Sequence, residues 1–357
     1  MDLPTLGIEE EFLLVDARTG QVRQDSEELL ARAGRRVQDG LEHELRTGMV
    51  ETGSAVCQDL DQAHGEVQHR RSGLAAAAAE VGARLLATGS HPDAAPEQVG
   101  YSPTARYHRM ARAFGPLADE SLVCGCHVHV SVPDREAGVL VLDHVRPWLP
   151  VLVAVAANSP LWRGQDTGYD SWRTQVWSRW PTAGPTSVFG DLATYEARAD
   201  QLVASGAALD RGMLYYAARL SEQWPTVEVR VADVFLDADS AVLMGGLVRA
   251  LVMTAGATSG PPPEVPVELL RAATFAASRS GLRAALLDPV EGDLRPAAEV
   301  LDRLLAHVRD ALAEAGDTDR VVEGLTRVRR QGTGADRQRA AWQAGGRDAV
   351  LELAAVS

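Results

Sequence analysis

Three short segments each place two chemically capable residues two positions apart: Glu9 and Glu11 in GIEEEF, His127 and His129 in CHVHVSV, and Glu228 and Arg230 in TVEVRV. Side chains alternate across an extended strand, so this spacing puts both members of each pair on one face. Ile8, Glu10 and Phe12 then point the other way in the first segment, Val128, Val130 and Val132 in the second, and Val227, Val229 and Val231 in the third. A sheet built from such strands has one apolar face for helices and one face of Glu, Glu, His, His, Glu and Arg. The solvent side of an ordinary antiparallel sheet is also polar, but it usually mixes in Lys, Thr, Ser and Gln. Clustered carboxylates raise one another's pKa unless cations neutralise them. A divalent metal does this economically, and oxygen ligands with one or two imidazoles suit Mg²⁺ or Mn²⁺ better than Zn²⁺.

A rival metal reading takes Cys124-Gly125-Cys126-His127-Val128-His129 as a thiolate and imidazole zinc site. Regular alternation counts against it, because the cysteines and histidines project from opposite faces unless the strand is bulged.

The elements that must hold these residues follow from local pattern. Ile8 to Asp16 reads as a strand entering a turn at Arg18-Thr19-Gly20, and a second strand is expected around Met49 to Glu51. Leu60 to Leu86 has helical spacing and the alanine run Ala75 to Ala79. Thr88 to Pro103 is rich in Gly, Pro and Ser and reads as loop. Cys124 to Val132 is a strand stopped by Pro133-Asp134, and Asp143 to Asn158 is apolar enough for a buried helix. Ser159 to Gly190 reads as a long loop in which Arg163, Arg173 and Arg179 sit among Trp162, Trp172, Trp177 and Trp180. Loops of this length in a compact domain are usually functional, so it is expected over an active site. Thr226 to Val234 is a third alternating strand, with a helix from about Asp239. The chain is helical from Glu264 onward, with a break at Gly332-Thr333-Gly334. Strands and helices without regular βαβ alternation argue an α+β fold with an antiparallel sheet in a single domain over 1–357.

Composition excludes several classes. With 357 residues, 46% of them apolar, the chain can bury a large core. A formal net charge of −14 disfavours nucleic acid. The N-terminus lacks the basic and apolar regions of a secretory signal, so cytoplasm is the expected location. Ala241 to Ala257 is interrupted by Arg249 and by Gly245-Gly246, which fits a buried helix rather than a membrane span. Cys57, Cys124 and Cys126 are too few for a disulfide framework. No lysine is present, which leaves arginine or metal to handle phosphate charge and rules out a P-loop lysine or Schiff-base chemistry.

The segments GIEEEFLLVD, CGCHVHVSV and PTVEVRVAD, in this order, resemble the signature strands of the carboxylate-amine ligases grouped with bacterial glutamate-cysteine ligases. ELRTGMVETGSAVC, DTGYDSWRTQVWSRWPTAGP and GADRQRAAW extend the resemblance over nearly the whole chain. Glutamine synthetase is similar more distantly. The resemblance implies a curved antiparallel sheet funnel with helices on its convex face, with ATP at one end and an acid substrate at the other. It implies that Glu9, Glu11, Glu51, His127 and Glu228 hold Mg²⁺ or Mn²⁺, with Glu44 a further acidic member. Arg230 would then face the transferred phosphoryl group, with His129 nearby. Arg173, Arg179 and Arg219 are candidates for gripping a substrate carboxylate or phosphate, against a plainer reading as surface arginines stacked on tryptophan.

The expected reaction is ATP-dependent amide formation through an acyl phosphate, by default between the glutamate γ-carboxylate and cysteine. A homodimer is implied by the resemblance alone. One departure is visible: relatives commonly carry Asp two residues before the arginine matching Arg219, where this chain has Ala217, so the acid or amine is open to change. The alternatives are a metal-dependent amidohydrolase, whose barrel would show repeated strand-helix units, and a non-catalytic binding member of the ligase fold.

Overall fold

The sheet is assembled on one long strand, β1 (Leu6–Asp16), whose first half alternates and whose second half is buried on both sides. Asp16 ends it: its carboxylate accepts from the Thr19 N–H and hydroxyl, and Gly20 completes the turn at φ +68°, a conformation that favours glycine. The computed structural model describes residues 3–34, 36–37 and 40–356. With β2 (Leu41–His43), β3 (Met49–Gly53), β4 (Ala83–Leu86), β5 (Gly125–Ser131), β6 (Ala218–Leu220) and β7 (Thr226–Asp233), β1 forms a seven-stranded sheet ordered β2-β3-β1-β5-β7-β6. β4 pairs with the far end of β1, and every pairing in the sheet is antiparallel. The α+β expectation is met. The amidohydrolase alternative, which needs a barrel of parallel strands, is not.

Helices cover the apolar face. α1 (Leu60–Glu80) is capped by Asp59, which accepts from the Gln62 N–H. The alanine run was expected to stay helical to Leu86. Instead Gly82 turns left-handed at φ +69°, and Ala83 to Leu86 pair with the end of β1. The predicted helix at 143–158 is two helices, α2 (Arg135–Val145) and α3 (Leu149–Ala156), because Pro147 and Pro150 cannot donate the backbone bonds that would join them. α4 (Ala238–Ala257) lies directly on β1: a β-carbon on Gly245 would come within 3.1 Å of Ile8 and 3.2 Å of Leu6. Its Arg249 is wholly buried and pairs with Asp317 at 3.0 Å and the Gln58 carbonyl at 2.7 Å. Residues 135–156 and 238–257 are long and apolar enough to span a membrane, yet most of each is buried in the protein core.

Under the sheet, on the same face as Ile8 and Phe12, Glu10 is buried against Arg71 of α1 at 2.6 Å. Arg71 also donates to the Phe235 carbonyl at 2.7 Å, so the pair ties α1 to β1 and to the chain leaving β7.

The region after Glu264 departs from expectation, since a small hairpin of Ala285–Leu287 and Leu294–Pro296 interrupts its helices. The expected break at Gly332 is present between α5 (Thr318–Gln331) and α6 (Gly334–Ala354). α6 anchors the predicted loop: Gln338 donates to the Thr88 hydroxyl and Asn158, while Arg339 binds Asp166 and Asp170.

Candidate active site

Strand register brings the predicted residues together. Glu42, Glu51 and Glu11 are cross-strand partners over β2, β3 and β1. Glu9 faces His127, and His129, Glu228 and Arg219 form a second row over β5, β7 and β6. These side chains share the polar face. β5 alternates as expected, but β7 is bulged opposite His127: Cys126 pairs with Ala232 and Val128 with Val229, so β7 spends one residue more. Ala232, not Val231, therefore takes the next fully buried position, and Val231 is left half-buried at a cavity wall. The bulge lets Glu228 and Arg230 stay on the polar face while the strand continues into the core.

The acidic and imidazole groups form three interlocking sets, Glu9-His129-Glu228, Glu9-Glu51-His127 and Glu11-Glu44-Glu51, with one ligand atom from each member lying within 4.8 Å of the others in its set. His127 Nδ1 is 3.4 Å from Glu9 and 3.9 Å from Glu228, and its Nε2 is 3.7 Å from Glu11. His129 Nε2 is 3.1 Å from Glu9, while its Nδ1 is held by the Thr226 hydroxyl at 3.0 Å. All six residues expected at metal are thus in one cluster, and His129, expected near the phosphoryl group, is in it too.

Electrostatics fit a divalent cation. Burial and the Glu44 charge push Glu11 up to about 7, against Arg173, the Gly125 N–H and Arg230. Burial, Glu44, Glu9 and Glu11 raise Glu51 well above the ordinary range. Burial would also raise Glu9, but bonds to His127 and His129 hold it well below. Burial and the Arg230 charge drive His127 down to about 3, so its ring is neutral at pH 7 and has a lone pair to give. His127 Nε2 is buried without a hydrogen-bond partner, which a cation would satisfy. Carboxylates with neutral imidazoles are a donor set that Mg²⁺ or Mn²⁺ accepts.

The zinc reading fails on geometry. Cys124 and Cys126 point into the hydrophobic core, burial pushes both thiols well above their ordinary range, and no cysteine joins a metal-capable group among the described residues.

The arginines differ in setting. Arg230 is buried, bonds Glu228, and is lowered to about 10 by burial and by Arg219. Arg219 grips Glu228 from the other side, at 2.6 and 3.3 Å, and so holds a cluster carboxylate rather than standing free for a substrate. Arg179 lies at a cavity rim and pairs with Glu120. Arg173 is 2% exposed and, among the described residues, has no carboxylate within ion-pairing distance; its one side-chain hydrogen bond to them is to the Arg230 carbonyl at 3.4 Å, and its Nε has no partner among them. Its guanidinium sits 5.7 Å from the Trp177 ring, which keeps part of the tryptophan-stacking reading but in the interior.

The stretch 159–190 is not the single long loop expected: a small hairpin, Leu161–Trp162 with Gln165–Asp166, and a short helix, Trp172–Trp177, are built into it, and it is anchored to the sheet. Asp233, at the end of β7, accepts from the Asn158 N–H and from the hydroxyls of Ser159 and Ser171, and Ser159 Oγ receives the Arg173 N–H at 2.9 Å. Trp177, which ends that helix, and Trp180 line the cavity over the cluster. Arg163 lies apart, on a small hairpin, paired with Glu97. Sequence reading missed Glu42, whose place two residues before Glu44 was its available signal, and Gly125 and Asp233, whose roles depend on distant partners.

Three cavities of about 530, 510 and 460 Å³ share walls along the polar face. The middle one holds the acidic cluster. The first lies toward Gly7, Val56 and Trp224, and the last toward Arg173, Ala217 and Phe275.

The family model described as glutamate-cysteine ligase family 2 matches residues 5–352. The chain belongs to that family. A Streptomyces coelicolor protein provisionally named glutamate-cysteine ligase 2 is 45% identical over 340 residues, covering 94% of this chain and 93% of the relative. A Nocardia farcinica protein provisionally named glutamate-cysteine ligase 2-1 is 45% identical over 341 residues, covering 95% and 88%. Among solved structures, glutamate-cysteine ligase from Francisella tularensis in complex with AMP superposes with a TM-score of 0.76 at 13% identity, over 99% of this chain and 88% of that one. A bifunctional glutathione synthetase from Pasteurella multocida gives 0.69 at 16% identity, over 99% of this chain and 52% of that one. These two likenesses establish the fold of this family member, the glutamine synthetase-like sheet.

Proposed function

We propose that this family member is an ATP- and Mg²⁺-dependent carboxylate-amine ligase that forms an amide through an acyl phosphate. The observation that carries it is the run of three interlocking carboxylate and imidazole sets, with Arg230 and Arg173 buried beside them. Glu9, Glu11, Glu44, Glu51, His127, His129 and Glu228 would hold the cations, whose contribution is to neutralise the phosphates of ATP. A substrate carboxylate attacks the γ-phosphorus, ADP leaves, and a free amine then displaces phosphate from the acyl carbon. Arg230, fixed by Glu228, faces the negative charge that grows on the transferred group, and needs no reorganisation to do so. No residue of the chain becomes covalently attached.

The cavity toward Val56 and Trp224 suits the neutral, flat adenosine end, since its walls offer apolar contact beside Glu9 and His129. The AMP complex of the Francisella relative supports nucleotide binding in this fold. Small-molecule acid and amine substrates, a cytoplasmic location and a homodimer complete the proposal; sedimentation of the purified chain tests the dimer.

Phosphate release from ATP, measured across acids and amines with and without Mg²⁺ and with mass spectrometry of products, tests the activity. A new amide stoichiometric with phosphate supports it. Nucleotide binding without turnover on any pair would favour the non-catalytic reading instead.

A further inference from the structure

We infer that the acid substrate of this ligase carries a second anionic group on an apolar body and has no free ammonium beside that group. The inference rests on the ligase reading above. It concerns the cavity of about 460 Å³ that opens from the acidic cluster past Trp177, Tyr215 and Arg230. That volume suits a small molecule.

The lining is one-sided in charge. Arg173, Arg179, Arg230 and Arg271 contribute to it, and no aspartate or glutamate does among the described residues. Two of the four guanidiniums are already engaged, Arg230 by Glu228 and Arg179 by Glu120. Among the described residues Arg173 is buried with no carboxylate in ion-pairing contact and with Nε unsatisfied, which is a costly state for a charge shut away from water. A bound carboxylate would satisfy it with charge-assisted bonds. The remaining wall carries no charge: Val231, Ala217, Tyr216 and Phe275 lie between the arginines, with the neutral polar side chains of Thr174, Gln175, Ser178 and Thr274.

An α-amino acid placed here with its reacting carboxylate at the cluster would bring an ammonium among guanidiniums, with no carboxylate among the described lining residues to pair with it. Ala217 offers only a methyl group where a carboxylate would be needed. Repulsion and lost hydration then penalise that ammonium, whereas a dicarboxylate or an N-acylated diacid meets no such penalty. Such an acid spans the two regions, one carboxylate taking the γ-phosphoryl of ATP as ADP departs and the other resting on Arg173.

The test uses the full chain with Mg·ATP and hydroxylamine, which traps acyl phosphates as hydroxamates whatever the natural amine. Glutarate, N-acetylglutamate and glutamate are compared by kcat/KM. Glutarate or N-acetylglutamate should exceed glutamate by at least about tenfold. Ala217→Asp should raise the glutamate value and lower that of glutarate, and Arg173→Gln should raise KM for glutarate more than it lowers kcat. Preference for glutamate in the wild type, unchanged by Ala217→Asp, overturns the inference. If no acid yields a hydroxamate, the ligase reading fails, and calorimetry with Mg·ADP and glutarate then decides the cavity. Glutarate binding that is lost in Arg173→Gln supports the assignment, and no glutarate binding overturns it.

Discussion

Arg173 reaches the polar face because residue 125 has no side chain. A β-carbon built on Gly125 would come 2.1 Å from Arg173 Nη2 and 2.7 Å from Cζ, closer than atoms can approach. The same residue's N–H donates to Glu11 at 2.6 Å, so one glycine seats a guanidinium and orients a cluster carboxylate.

Gly125→Ala should therefore expel Arg173 while leaving the backbone bond to Glu11 possible. We expect kcat/KM to fall at least about tenfold, in line with loss of one charge-assisted contact, with a folded far-UV spectrum. A variant with wild-type kinetics would remove Arg173 from the substrate's path.

Glu11→Gln and Glu228→Gln should each abolish Mg-dependent ATP turnover. The two differ in stability. Glu228 is 2% exposed and binds both Arg219 and Arg230, so its replacement leaves buried guanidiniums underpaired and should cost about 3–5 kcal/mol. Denaturant unfolding of both variants beside the wild type checks this; equal stabilities would contradict the role given to Glu228 as the anchor of both arginines.

The pair beneath the sheet should behave in the opposite way. Arg71→Met leaves Glu10 buried and alone, and should destabilise by about 3–5 kcal/mol while the surviving folded protein keeps its KM values, because neither residue lies on the polar face. Urea midpoints and steady-state kinetics on the same preparation separate these effects.

Metal binding should be linked to protons. Without metal, Glu11 and Glu51 keep a proton at pH values where the unfolded chain has released it, because burial raises both. The metal-free fold gains from this below the ordinary glutamate range and loses that gain as pH rises through about 7 for Glu11. A divalent cation binds the ionised carboxylates and displaces those protons. The rise in melting temperature on adding Mg²⁺ should thus be larger at pH 8 than at pH 6. An equal or smaller rise at pH 8 would contradict a cluster of buried carboxylate ligands.

What could be read from sequence was what strand alternation controls. Glu9 and Glu11, His127 and His129, and Glu228 and Arg230 fall on one face because a spacing of two leaves no choice. Cys126→Ser is accordingly expected to disturb the core, where Cys126 is 1% exposed, and to leave metal content unchanged; metal analysis of the variant checks this. The bulge in β7 was not legible, since it arises from pairing with β5 and moves Val231 out of the row assigned to it. The end of α1 at Gly82 and the split at Pro147 were obscured by apolar continuity, although both residues are breakers. The ion pairs of Arg219 with Glu228 and of Arg179 with Glu120 are likewise invisible in the sequence, which offers these arginines only as candidates for a substrate contact and carries no sign of their partners. Asp233 was invisible as the anchor of the Arg173 loop for the same reason: its partners Ser159 and Ser171 lie far away in the chain.

The measurement that bears most directly on the central claim is Mg²⁺-dependent ATP cleavage by the wild-type chain in the presence of an acid and an amine, with the products weighed by mass spectrometry. The account predicts one amide formed for each phosphate released, and neither product without Mg²⁺. ATP left intact with every acid and amine pair, or cleaved at the same rate with no acid present, would contradict it.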